Sequence, residues 1–363
     1  MIEALTAMNK NTHKTSTKNT FVGVEIEPSA VHAASVSVNG TVRIDAAGSQ
    51  ALEAGIVRDG EVADVEGLAD ALRSLFAGRR DLDRRVRLGV ANQKIVVRVL
   101  DLPPLQDRKE LDAAIRFQAQ DEIPMPLDSA VLDFHTLDIV QTASGPRQRV
   151  VLVAARRDMI ERILTAARSA GLRPQGIDLA AFGMVRVLHR GAATDGQVLY
   201  VSVGGLTNLA VAQGSACLFT RVVGGGLEAM AVELAERRAL TLEHSRAWLE
   251  HVGLAAPTHE IEGDTEIVHD ARSILTEGVR RIGGDVRNSL DFHRAAGMGD
   301  AGTAGVEKAV LTGASVAVDG FPEAFAAELG LPVEVGTVDG APDLRHAGCV
   351  TVAAGLALED TAA

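Results

Sequence analysis

Ten histidines and two cysteines are the residues from which a metal site or a nucleophile could be built, and their spacing argues against both. Cys217 and Cys349 stand far apart and neither belongs to a Cys-x-x-Cys pair, so neither a zinc ribbon nor a disulfide framework is indicated. Isolated thiols fit a reducing, cytoplasmic compartment. His251, His259 and His269 are the nearest histidine group, but no two are four residues apart, the spacing that sets two imidazoles on one helix face. No metal site is expected from them. Glycine is the residue that recurs to a pattern. There are 36, and several close strand-like runs: Gly204-Gly205, Gly224 to Gly226, and Gly313 within Thr312-Gly-Ala-Ser315. Turns of this kind let a backbone approach a phosphate, and they are equally the tight turns of any β-rich fold. The residues alone leave both readings open.

The elements around these turns repeat. Phe21 to Ile26 reads as a strand, and a hairpin follows with Asn39-Gly40 at its tip, a pair that tolerates the positive φ of a type I′ turn. Val198 to Val203, Leu206 to Ala212 and Ala216 to Val223 reproduce that order, with Gln213-Gly214-Ser215 as the tight turn. Two strand-turn-hairpin units suggest two related α/β domains facing each other across a cleft, although two unrelated meanders would show the same spacings. Between them the rhythm changes. Two apolar runs, 88–92 and 94–100, lead to a helix with Asp107 at its N-cap and Glu110 three residues on. Leu111, Ala114, Ile115 and Gln118 line one face of it, and Pro124 and Pro126 stop it. Strands over 129–140 and 148–155 and a helix over 158–170 complete an inserted strand-helix-strand-strand block. Helices are expected over 227–238 and 242–251. A long one carries Ala271 to Leu290, with Gly283-Gly284 inside it marking either close helix packing, the favoured reading, or a kink.

Composition excludes several functions. Lys and Arg total 36 against 48 Asp and Glu, and the net charge of -12 argues against a non-specific nucleic-acid binder or a coat for anionic membranes. Aromatic residues are 3%, too few for base-stacking platforms or a carbohydrate groove. No apolar run reaches the ~18 residues of a membrane span, so membrane association is expected only through a partner. Residues 1–20 read as a mobile tail without the apolar segment of a signal peptide.

Val99-Leu-Asp-Leu-Pro103, Ala113 to Phe134 (AAIRFQAQDEIPMPLDSAVLDF), Leu164 to Pro174 and Arg287 to Phe292 carry a resemblance that extends from Val22 to Leu358. With the order of elements, they resemble the actin-like ATPases of the FtsA branch, and within it the PilM family of type IV pilus assembly proteins. The resemblance implies an α/β, duplicated ribonuclease H-like fold with an inserted subdomain. Its expected parts are 21–85 with 171–195 and 344–363, the insert 86–170, 196–240 with 305–343, and a helical subdomain 241–304.

It also implies where ATP and Mg²⁺ would be held, and there the sequence departs from the family pattern. The first phosphate turn usually reads Asp-Ile-Gly-Ser-Ser-Ser-Val-Lys; here Glu25, Glu27, Pro28, Ser29 and His32 occupy matching positions. Glu27 puts a carboxylate in place of the glycine. A like charge at ~4 Å costs ~4 kcal/mol at an effective dielectric near 20. The second turn keeps Gly204 and Gly205, but Ser202 replaces the acid that orders Mg²⁺. Gly225, Gly226, Gly313 and Ala314 match the adenosine side, while the ribose-binding Glu and Lys fall on Arg246 and Leu249. ATP binding is therefore expected to be weakened or lost, with no catalytic residue. An ATP-binding switch is the alternative; a small-molecule kinase would need an Asp base near the cleft, and none is found. The resemblance further implies a partner, the N-terminal cytoplasmic peptide of a PilN-like inner-membrane protein, held by Ile115, Phe117, Gln118, Ile123 and Pro124 of the insert.

Overall fold

The computed structural model describes residues 21–142, 145–189, 196–295, 305–341, 343 and 346–359; the expected tail over 1–20 lies outside them. The chain opens with β1 (Val22–Ile26), whose five residues are all buried, then β2 (Ala30–Asn39) and β3 (Thr41–Ala51). Gly40 takes φ 78 at the tip, but Asn39 stays out of the positive-φ region and pairs with Thr41, so the turn is not the type I′ turn that the Asn-Gly pair predicts. A two-stranded ribbon, β4 (Val57–Arg58) and β5 (Glu61–Val62), precedes α1 (Val65–Phe76), which Asp64 caps. Next come β6 (Arg85–Val90), β7 (Val96–Leu102), α2 (Arg108–Glu122), β8 (Ala130–Thr142), β9 (Gly145–Arg156), α3 (Arg157–Ser169), β10 (Arg173–Leu179) and α4 (Ala180–Leu188). The second half holds β11 (Gln197–Val203), β12 (Thr207–Gln213), β13 (Ala216–Val223), α5 (Leu227–Arg238), α6 (Leu242–Val252) and α7 (Thr265–Ala295). It ends with β14 (Val306–Thr312), α8 (Phe321–Leu329), β15 (Val333–Val335) and α9 (Thr351–Leu356).

The two large sheets have the same plan. Their orders are β3-β2-β1-β6-β10 and β13-β12-β11-β14-β15, each with an antiparallel three-strand meander followed by two parallel strands. The repeat read from the strand-turn-hairpin units is therefore a duplicated fold. A third, antiparallel sheet, β7-β9-β8, packs against α2 through Leu100, Leu111, Ile115, Ile123, Val150 and Leu152. Asp107 caps α2 by accepting from the N–H groups of Lys109 (2.7 Å) and Glu110 (3.1 Å).

The 86–170 segment does not pack as one block. β6 lies inside the first sheet between β1 and β10, and Ile163, Ala166 and Ala167 of α3 join that sheet's core beside α1. Both ends of the segment are apolar enough to be recruited by the larger core. Similarly, α5, α6 and α7 share one core with β11 and β12, so the helices over 241–304 have no separate core of their own. Gly283 lies where an added Cβ would meet Glu328 Cβ of α8 at 2.8 Å, which is the close packing the Gly-Gly pair predicts. No helix among the described residues is long and apolar enough to cross a membrane.

Candidate functional site

Two strand ends bring the phosphate turns together. β1 delivers Glu27, Pro28 and Ser29 from the first sheet, and β11 delivers Gly204 and Gly205 from the second. The turns touch. A Cβ built on Gly204 would lie 2.5 Å from both Glu27 carboxylate oxygens, and one on Gly205 would lie 2.9 Å from Pro28 Cδ and 3.0 Å from Ser29 Oγ. Glu27 is thus laid on the Cα of the glycine across the cleft, with His32 Nε2 3.7 Å from its carboxylate. His32 is held in turn by Ser49 Oγ at 2.7 Å from Nδ1.

The surrounding glycines complete the same cluster. Gly226 packs on the Gly204 carbonyl, Thr207 Oγ1 donates to the Gly225 carbonyl at 3.0 Å, and the Gly204 carbonyl accepts from the Leu227 N–H at 2.9 Å. Gly313 has φ 91 and lies against Val203 and Ser202 Oγ, with Ala314 opening a short 3-10 turn. Gly348 backs onto Gly313, bringing the 346–359 segment to the cleft. Electrostatics there are one-sided. Burial, aided by the neighbouring Glu27 carboxylate, pushes the Glu25 carboxyl well above its usual range. Burial, with Glu27, Glu25, Glu250 and Asp343 adding to it, pushes the Cys349 thiol up to about 12, so it is no nucleophile. His346 bridges Asp343 (2.6 Å) and Glu250 (3.2 Å); burial opposes its proton, but these two hydrogen bonds outweigh it and its pKa is raised.

A second feature opens beside the cleft, a groove of about 620 Å³ lined by residues of the two large sheets and of the β7-β9-β8 sheet. The β6–β7 connection gives Asn92 and Gln93, β7 gives Val97 and Arg98, and β13 gives Phe219 and Arg221. Pro124 stands at one margin and Phe292 of α7, 54% exposed, at another. β7 and β13 are both edge strands of their sheets.

The family model for type IV pilus assembly protein PilM matches residues 23–360. The chain belongs to that family. A solved PilM-PilN type IV pilus biogenesis complex is similar over 94% of this chain and 98% of that one, at 24% identity and a TM-score of 0.75. The ethanolamine utilization protein EutJ from Carboxydothermus hydrogenoformans is similar at 16% identity and TM-score 0.54, over 95% of this chain and 91% of that one. MreB5 of Spiroplasma citri bound to ADP is similar at 12% identity and TM-score 0.53, over 93% and 95%. These likenesses give the fold as actin-like.

The nucleotide-side residues named from the sequence thus lie around one cleft: Glu25, Glu27, Ser29, Ser202, Gly204, Gly205, Gly225, Gly226, Gly313 and Ala314. Arg246 and Leu249 are otherwise engaged, Arg246 in a two-point ion pair with Glu228 (2.6 and 2.8 Å) and Leu249 in the core. The partner residues divide. Ile115 and Ile123 are buried in the core of the insert, whereas Phe117 is 74% exposed, Gln118 half-buried, and Pro124 alone of the five lines the groove. Asn208, Arg221 and the acidic set about His346 were not read from the sequence. An isolated Asn or Arg in a strand carries no local signal, and Glu250 and His346 meet only after folding.

Proposed function

We propose that this chain is a cytoplasmic docking scaffold of type IV pilus assembly, held at the inner membrane by a PilN-like partner and not driven by ATP. The observation that carries the reading is the contact of the two phosphate turns, Glu27 on Gly204 and Pro28 on Gly205. A polyphosphate between them would have to displace a carboxylate and then sit beside it, with no backbone donor at Pro28. The residues present do not fit ATP with Mg²⁺ at this turn, and no chemical step is assigned to it. Docking is supported by family membership, by the open groove between three sheets, and by the partner in the related solved complex. An extended peptide suits a groove flanked by strand edges, with burial against Phe219, Phe292 and Pro124 supplying affinity. Phe117 lies outside the groove lining and would extend the contact along α2.

Titration of the purified protein with Mg-ATP tests the first part; micromolar binding would sink it and favour a nucleotide-dependent switch. That second reading draws on Gly225, where a Cβ would meet nothing within 4 Å, and on the fold shared with an ADP-bound MreB5. Co-purification with the N-terminal segment of a PilN-like protein tests the second. Phe292→Ala should abolish capture, and Phe117→Ala should weaken it; capture unchanged in both would reject this groove.

A further inference from the structure

The inner wall of the groove carries hydrogen-bond donors without acceptors. Asn208, at the start of β12, is 6% exposed and lines the groove, and its Nδ2 is buried with no hydrogen-bond partner among the described residues. A buried donor left unpaired costs about 1–3 kcal/mol, which a fold retains where a ligand satisfies it. The N-terminus of α4, a nine-residue helix, meets the same wall: its N-cap Leu179 and its residue Ala181 both line the groove, and no side chain caps the helix. The open N–H groups of such a terminus, with the helix dipole behind them, favour an anion.

The charges around the groove agree. Arg98 and Arg221 line it against one carboxylate, Asp285, a local positive excess in a protein of net charge -12. Arg98 is also 4.0 Å from Glu122 at its Nε. Asp178, just before the α4 N-cap, is engaged by Arg186 at 2.7 Å and by the Leu179 N–H at 2.8 Å.

We propose that Asn208 and the uncapped N-terminus of α4 form a carboxylate subsite in the groove, taking an acidic side chain of the docked segment. This rests on the docking reading for the source of the carboxylate, though not for the site itself. Asn208 Nδ2 and the first-turn N–H groups of α4 donate to the carboxylate oxygens, and Arg98 and Arg221 favour its approach. The subsite selects among extended apolar segments, because a segment without the acid leaves the Asn208 donor unpaired.

The test uses the full chain, with Asn208→Asp as an isosteric variant that replaces the donor by a like charge, and Asn208→Ser as a second variant should the first not fold. Binding of the N-terminal segment of the PilN-like partner is measured by calorimetry on parent and variant. Loss of about tenfold to a hundredfold is expected, the range of one charge-assisted hydrogen bond. Replacing the segment's acidic residue by Ala should cause the same loss on the parent and none further on the variant. Equal affinity of parent and variant overturns the subsite while leaving the docking reading standing. Should the parent fail to bind the segment, the docking reading fails and sodium acetate becomes the probe, titrated against chloride at constant ionic strength into protein labelled with ¹⁵N-asparagine. A saturable shift of the Asn208 side-chain amide, absent in Asn208→Ser, then supports a site for free carboxylates. No shift overturns it.

Discussion

Glu25 and Glu27 sit two residues apart on one strand end, and their different surroundings give them different tests. Glu25 is buried with its carboxyl raised well above the ordinary 4.5, by burial first and by Glu27 second; His32 is its cross-strand neighbour and the Cys349 thiol lies nearby. The folded state therefore holds a proton on Glu25 that the unfolded chain releases above pH 4.5. Its contribution to stability is full below that pH and falls as pH rises toward the raised folded value. Glu25→Gln keeps the shape and removes the ionisation. Melting temperatures of parent and variant should coincide in acid and separate in the variant's favour toward neutral pH. A constant gap across the range would show that Glu25 does not titrate in this way. Glu27→Gly should strengthen Mg-ATP binding roughly tenfold or more over the parent, because the ~4 kcal/mol repulsion of a like charge at ~4 Å is gone while Pro28 remains. Equal affinities would mean that the carboxylate swings clear of the cleft. The departure at Glu27 was legible in the sequence, but its contact with Gly204 was not, since no local pattern tells where a turn from one sheet meets a turn from the other.

Among the elements, α2 divides most clearly into a face that holds the fold and a face left to a partner. Ile115 is 1% exposed among Leu111, Leu152 and Ile123, so Ile115→Ala should cost about 2–5 kcal/mol by transfer and cavity terms together. Phe117, two positions on, points to solvent, and Phe117→Ala should change stability by less than ~0.5 kcal/mol. Urea denaturation of the two variants checks both figures, and a large loss from Phe117→Ala would mean that the ring packs on the protein. This helix was readable because its cap, period and terminating prolines are all local signals. β6 was readable as a strand but not as a member of the first sheet. An apolar β-branched run fits any sheet core, and pairing partners distant in sequence leave no mark on it. The same holds for Asn208, which reads as one residue of a strand and whose place in β12 becomes meaningful only beside α4.

At the scale of the whole molecule, the two halves are joined by more than the phosphate turns. α4 and α9 cross between the large sheets: Ala180, Ala181 and Met184 pack with Val198, Tyr200 and Ala210 of the second, while Ala353 and Ala354 pack with Ala34 and Val36 of the first. The two helices meet backbone to backbone, for a Cβ on Gly355 would lie 1.9 Å from the Gly183 carbonyl oxygen. That atom belongs to a helix and cannot rotate aside, so Gly355→Ala must push α4 and α9 apart. Overpacking of this kind costs about 1–3 kcal/mol, and the displacement bears on both cores at once. Both halves should therefore lose stability together, with one calorimetric transition moving down in temperature and amide exchange rising in β1 and β11 alike. If β1 keeps its protection while β11 loses it, the helices belong to the second half alone.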